Sequence, residues 1–571
     1  MSLSGGDVLL DSFERHGIEQ IFCSPGSEWV PVWEGLAKRQ AAGDKAMGYI
    51  NCRHEILAVS AAMGYAKASG RMPAVLLHAG VGPLHAAMAI RAATRAQVPM
   101  LICTGDTSGQ GEDYQDSDRH WLSLLSDIGG PHALVGPCAK WSNVVASNDA
   151  LMDSIHRGCQ IALRSPQGPV FLSIARGLLL ETLPEQRTAP SFSPPAPSEP
   201  RLQDLEEVAK RLLESRQPII ITEYAGKSPN ALGKLVELAE LLNIPVFESM
   251  DPSVANFPRT HALHMGYDPV EALQEADTVL IVGATTPWYP PSAFPRNGAR
   301  VILLDEDPAK AQLPYWGYPV DLSIEADIGH SLAALVDRLR DHRQGGIKEG
   351  VGDRKSLEQW RYRRRQMAEG WEREALAGKN KKPISPKWFL YLLNKVMPGD
   401  AIIVEENITH KPFILRYLTV PDTFFRTSTG GLGIGFGMAA GTQLACKNRP
   451  VIFLVGDGCF NYNPALTGLG LCQEYRLPVL TIVLNNGGYV SMKRTHQECY
   501  PEGWAVRDNR YFGVSIAPEP DYAKVAEACG AYSERVEDPE DIEPALNRAF
   551  QQVKSGRAAL LDVKLDPGRN V

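Results

Sequence analysis

The chain has 571 residues, of which 44% are hydrophobic and 22% charged, with a formal net charge of −8. That length exceeds what one core supports and predicts three domains of ordinary size, and with no dominant basic face a nucleic-acid-binding role is excluded. No run of about 18 apolar residues is present to span a bilayer, and the ten cysteines are scattered with no C-x-x-C pair. That usage, with acidic residues in the opening MSLSGGDVLLDSFERHG where a leader would be apolar, predicts a cytoplasmic location.

Residues 1–185 alternate helical and strand patterns. VLLDSFERHG reads as an amphipathic helix, QIFCSPG as strand and turn, MGYIN as a strand, HEILAVSAAMGYAKASG as a helix, and AVLLHAG and PMLICTG as strands. This is the pattern of a doubly wound α/β domain. Three polar residues fall where strands end: Ser27, Glu55 and His78. Glu55 enters an otherwise apolar helix, where a partly buried carboxylate is costly; by itself it reads as a helix-start acid that satisfies free N–H groups. Ser27 and His78 by themselves read as a turn serine and a structural histidine.

ETLPEQRTAPSFSPPAPSEP, from Glu181 to Pro200, is rich in Pro and Ser and reads as a linker. A second α/β unit spans 201–340 with the strands PIIIT, IPVFES, TVLIVG and RVILLDED; no G-x-G-x-x-G follows any of them, so no nucleotide is inferred there. A charged stretch from Asp341 to about Lys382 predicts a linker and an exposed helix, with RYRRR (Arg361–Arg365) on its solvated face.

The third α/β unit spans 370–571. AIIVEENIT is a strand ending near Glu406, and TGGLGIGFGMAAG follows at Thr429–Gly441. Gly435-x-Gly437-x-x-Ala440, with Asp457 about twenty residues on, imitates a dinucleotide fingerprint. DTFFRTSTG is a poor strand to precede it, which leaves an NAD(P)-dependent oxidoreductase as the alternative from another class. Val451–Val490 then reads strand, Gly-Asp-Gly turn, helix, strand, Asn-Asn turn, a right-handed βαβ unit with both turns on the C-terminal edge of the sheet. Asp457 is thereby brought close to Asn485 and Asn486 at the edge where open α/β sheets bind ligands. A carboxylate and an amide oxygen there suit Mg²⁺, which takes one or two side-chain oxygens and leaves the rest to carbonyls, water and phosphate. Gly456 and Gly458 allow a phosphate to approach the backbone, and the following helix offers its N-terminal N–H groups.

GDG, some 26 residues, then NN resembles the cofactor motif of thiamine-diphosphate (ThDP) enzymes, in the group of benzoylformate decarboxylase, pyruvate decarboxylase and acetolactate synthase. The resemblance covers essentially the whole chain. It implies three doubly wound parallel-sheet domains, pyrimidine-binding, central and diphosphate-binding, with ThDP and Mg²⁺ as cofactors. The metal ligands would be Asp457, Asn486 and the carbonyl of Gly488, the choice between Asn485 and Asn486 staying open because this segment is about two residues longer than usual. Arg53-His54-Glu55 through Gly64-Tyr65-Ala66 matches the family segment whose glutamate bonds the cofactor aminopyrimidine, so Glu55 would lend the activating proton, at an acidity shifted by burial.

Cys23–Ser27 and Leu77–Gly80 resemble turns of benzoylformate decarboxylase. They imply that Ser27 orients a substrate carboxylate and that His78 shuttles a proton at the reacting carbonyl. Leu432 would wedge between the cofactor rings, and Glu406 falls where relatives carry polar cofactor-pocket groups. The His-His pair of pyruvate decarboxylase is missing from Thr104–Asp113, and Thr285–Tyr289 lacks the second histidine of benzoylformate decarboxylase. The expected reaction is C–C bond cleavage or formation next to a carbonyl, by a 2-oxo acid decarboxylase or an acetolactate-synthase-like carboligase. A 2-hydroxyacyl-CoA lyase is the alternative, disfavoured by GDG where such lyases show GDS. The resemblance also implies small-molecule substrates, a homodimer or homotetramer with sites shared between subunits, and a flap over the site near His496–Trp504.

Overall fold

The computed structural model describes residues 3–44, 47–106, 129–183, 196–344, 355–420, 423–427 and 431–567. Most of the Thr104–Asp113 loop therefore lies outside the described residues. The apolar β-branched runs form three sheets in which every neighbouring pair is parallel. The first contains β1 (Gln20–Cys23), β2 (Gly48–Asn51), β3 (Ala74–Leu77), β4 (Met100–Asp106), β5 (Trp141–Val145) and β6 (Pro169–Ala175) in the order β2-β1-β3-β4-β6-β5. The central sheet, β7 (Pro218–Thr222), β8 (Val246–Glu248), β9 (Thr278–Val282), β10 (Arg300–Asp305) and β11 (Leu322–Glu325), runs β8-β7-β9-β10-β11. The third comprises β12 (Ile402–Glu406), β13 (Thr423–Arg426), β14 (Val451–Gly456), β15 (Val479–Asn485), β16 (Tyr532–Val536) and β17 (Ala559–Lys564). Its order, β13-β12-β14-β15-β17-β16, repeats that of the first sheet.

Strands covered on both faces read as continuous apolar runs. Successive residues of β14 enter different cores: Val451, Phe453 and Val455 join one cluster, Ile452 and Leu454 another. The elements that matter below are α1 (Glu55–Ser69), α2 (Val81–Arg95), α3 (Leu357–Leu376), α4 (Pro386–Val396), α5 (Lys411–Tyr417), α6 (Gly435–Ala445), α7 (Asp457–Tyr462), α8 (Ala465–Glu474) and α9 (Val490–Cys499). No helix among the described residues is long and apolar enough to cross a membrane.

The first and third domains share one core, in which α1 lies directly on α6. Small residues allow the close approach. A Cβ on Gly64 would overlap the Met438 carbonyl, one on Gly437 the Ser60 side chain, and one on Gly441 the Ala61 carbonyl. The pairs Ala61 with Gly441 and Gly64 with Met438 fix the two helices antiparallel. The glycines that imitate a dinucleotide fingerprint thus lie inside or at the start of α6 and pack a helix, which removes the ground for an NAD(P) site. The RYRRR expectation also needs correction: Arg361, Arg363 and Arg365 are exposed, but Arg364 is buried at 9% exposure.

Replacing Gly64 by Ala forces α1 from α6 and is expected to cost about 1–3 kcal/mol, as overpacking does. Gly233→Ala is the control, since that glycine sits within a helix with open space around it and should stabilise by up to ~1 kcal/mol. Denaturant midpoints of both variants check this, and a Gly64→Ala protein as stable as wild type would refute the packing argument.

Candidate active site

Asp457 directly follows β14 and opens α7; it is 3% exposed. Its Oδ1 accepts the Gly458 N–H at 2.9 Å, while Oδ2 is buried with no partner. Burial pushes its carboxyl up to about 6. Across the turn after β15, Asn486 is also buried, and with its oxygen turned inward Oδ1 lies 2.7 Å from the Gly488 carbonyl oxygen and 3.2 Å from Asp457 Oδ1. Three oxygens this close repel unless a cation draws them together. Their spacing is near the ~3.0 Å edge of an octahedron with ~2.1 Å metal–oxygen bonds, the geometry Mg²⁺ demands. Turned over, the Asn486 amide N–H would bond both oxygens instead.

Asn485 faces away. Its Nδ2 donates to Asp562 Oδ1 at 2.8 Å and to Glu519 Oε1 at 2.7 Å, and its Oδ1 accepts from Gly487. Side chains alternate along the strand, so one asparagine locks the sheet edge while its neighbour faces Asp457. The turn itself needs glycine, with Gly487 at φ +79°.

Glu406 ends β12 and is committed internally. It accepts the N–H groups of Gly433, Ile434 and Gly435 at 2.7, 3.1 and 3.3 Å and a bond from Asn463. It therefore holds the glycine loop that enters α6 rather than standing free as a pocket group. Leu432, partly buried against the shared core, sits just before that loop.

The matching edge of the first sheet carries the other predicted residues. Ser27 is exposed in the turn after β1. His78 follows β3, with Nδ1 3.0 Å from both carboxylate oxygens of Glu28, a fully buried residue that also accepts the Ala79 N–H at 2.7 Å. The hydrogen bond that His78 donates to Glu28 raises the His78 pKa above its ordinary value. Cβ atoms on Gly26 and Gly105 would collide with this pair, so the glycines make room for it. Glu55 opens α1 with Oε2 3.1 Å from His85 Nδ1, and the His85 ring stacks on His54. Sequence reasoning missed Glu28 and His85; the available signal was an acid directly after Ser27 and a histidine one turn into α2.

The structure assembles these residues into two separate groups. Arg53 pairs with Glu474, and the Asn51 N–H donates to Tyr475 at 2.9 Å, at the end of α8 that leads back to the start of β15. The approach to Glu55 therefore docks at the N-terminal edge of the third sheet, a helix length of about 15 Å from the edge that carries Asp457. The antiparallel α1–α6 contact gives the same result.

Residues 3–128, 205–335 and 409–563 match three family models, the N-terminal TPP binding domain, the central domain and the C-terminal TPP binding domain of thiamine pyrophosphate enzymes. The chain is 28% identical to benzoylformate decarboxylase of Pseudomonas aeruginosa, with 96% of each chain covered. It is 24% identical to the large subunit of acetolactate synthase isozyme 3 of Escherichia coli, over all of this chain and 96% of that one. The 4-hydroxybenzoylformate decarboxylase of Rhodococcus jostii RHA1 shares the fold, with TM-score 0.78 at 22% identity over 99% of both chains. The three matched domains, in this order and over this length, make the chain a member of the thiamine-pyrophosphate-dependent enzyme family.

Proposed function

We propose that this protein is a ThDP- and Mg²⁺-dependent 2-oxo acid decarboxylase that works as a homodimer or a pair of homodimers. The observation that carries the reading is the Asn486 amide set 2.7 Å from the Gly488 carbonyl oxygen and 3.2 Å from Asp457 Oδ1, with Asp457 Oδ2 buried and unpartnered beside them. Those three would hold Mg²⁺, and through it the cofactor diphosphate. When bound, ThDP supplies a nucleophilic carbon and an electron sink next to it. Glu55 would lend the proton that activates the cofactor, and Ser27 would orient the substrate carboxylate. His78, gripped on one nitrogen by Glu28, would move a proton at the reacting carbonyl. An acetolactate-synthase-like carboligation is the second reading, favoured by the Thr285–Tyr289 loop, which has no histidine.

The two opposed edges support sharing of the site between subunits. One chain presents Glu55 and His78 at one edge and Asp457 at another, and both edges expose apolar side chains: Val81 and Leu84 on α2, Tyr462, Leu466 and Met492 around α7 to α9. Such surface calls for a partner, and a second copy related by a twofold axis would bring Glu55 of one chain to Asp457 of the other.

Asp457→Ala is expected to abolish Mg²⁺-dependent ThDP binding. Calorimetry with and without chelator measures this, and unchanged affinity in the variant would remove the metal assignment. Mixing inactive Glu55→Gln with inactive Asp457→Ala under subunit exchange should restore about a quarter of the sites in randomly paired dimers; no recovery despite proven exchange would contradict a shared site.

Glu28→Gln removes the main group that raises the His78 pKa and leaves the burial that lowers it, with the weaker pull of Glu55. Protonated His78 is then lost at lower pH, so the alkaline limb of the pH–kcat profile should move toward acid. A profile that keeps its shape and position would show that the pair does not act in turnover.

A further inference from the structure

The basic run Arg361–Arg365 has no part in the site above, although one of its members is buried. Arg361, Arg364 and Arg365 stand at i, i+3 and i+4 on α3 and so share a face. With Lys395 of α4 and Arg416 of α5 they line a cavity of about 510 Å³ between α3 and the third domain. Glu372 is the acid in that lining, and it already accepts a hydrogen bond from Tyr391. Arg361 pairs with Glu358 at 2.6 Å; for the other four bases no ion pair is seen among the described residues.

The buried guanidiniums are short of acceptors. Arg364 donates from Nη2 to the Arg259 carbonyl at 2.7 Å and lies 5.1 Å from the Trp371 ring centroid, but its Nε and Nη1 are buried and unpartnered. Behind it Arg259, 4% exposed, donates from Nη1 to the Leu418 carbonyl at 3.1 Å and leaves Nε and Nη2 unpartnered. The charges of two buried carboxylates reach Arg259: Glu248 is occupied by Asn256 and His264, and Glu405 by Arg426 and the Asn407 N–H. Positive charge buried without an acceptor is costly, and an anion in the cavity would offset it.

We propose that this cavity binds a small polyanion, a phosphate ester or a polycarboxylate, at the joint between the central and third domains. Its volume falls within the range of about 300–1,000 Å³ of small-molecule sites, and a cluster of arginines suits the bidentate geometry of phosphate and carboxylate oxygens. The site is separate from the diphosphate site. Lys395 lies near the end of α4 that leads into β12, and Arg416 at the far end of α5, so the cavity opens at the N-terminal edge of the third sheet, opposite Asp457. A ligand there would join α3 to α4 and α5 and stabilise the joint in proportion to its occupancy.

The test uses the dimeric or tetrameric protein loaded with ThDP and Mg²⁺, so that the diphosphate site is filled. Inorganic phosphate and tricarballylate are titrated calorimetrically into wild type, Arg365→Glu, Arg365→Gln and Lys395→Glu; both positions are exposed, and circular dichroism confirms folding. Saturable binding of one anion per chain is expected in wild type, with affinity reduced about tenfold or more in each charge-reversal variant, less in Arg365→Gln. A rise in melting temperature on adding the anion should appear only where binding survives. The preference between the two probes tells phosphate from carboxylate chemistry. No binding of either on the order of 10 mM, or binding undiminished in every variant, would overturn the proposal. If Arg365→Glu instead lowers the oligomer mass and wild type binds no anion, an acidic side chain of a second copy fills the cavity and the proposal also fails.

Discussion

The contact between α1 and α6 governs the rest of the molecule. Two helices rich in Gly, Ala and Ser approach so closely that a single added methyl group would meet a main-chain carbonyl. Helix axes normally stand 8–10 Å apart according to the side chains between them, and here there is almost nothing between them. The reward is dispersion contact where Ser60–Gly64 meets Gly437–Gly441 and one continuous core spanning the first and third sheets. The cost is geometric: antiparallel helices leave the ligand-facing edges of those sheets pointing in opposite directions.

Around the edge of the third sheet, the polar groups divide into those that build and those that wait. Glu406 holds the loop that enters α6, and Asn485 with Asp562 and Glu519 holds the end of β15. Asp457 Oδ2 has no such partner. Burial makes the Asp457 carboxyl harder to ionise than an ordinary carboxyl, and a cation beside it would offset that cost.

The parts legible in the sequence were those set by local periodicity. Strands β14 and β15 are almost wholly apolar because both faces are covered, and the βαβ rule then fixed the edge at which Asp457 and Asn486 meet. The choice between two adjacent asparagines was not legible, since it depends on Asp562, 77 residues from Asn485. Glu28 was missed for the same reason: its partner His78 lies 50 residues away, at the end of the neighbouring strand β3. The basic run misled because exposure on a helix changes every third or fourth residue with its neighbours. Arg364 is buried between Trp371 and the Arg259 carbonyl, which no charge count of Arg361–Arg365 reveals.

The repeated strand order has a further consequence. The first and third domains carry the same topology, and α1 and α6 occupy matching surfaces on them, packed head to tail. A half-turn about an axis through that contact would exchange the two domains. A single chain is therefore arranged internally as if it were already a pair, and two chains together amount to four copies of one architectural unit.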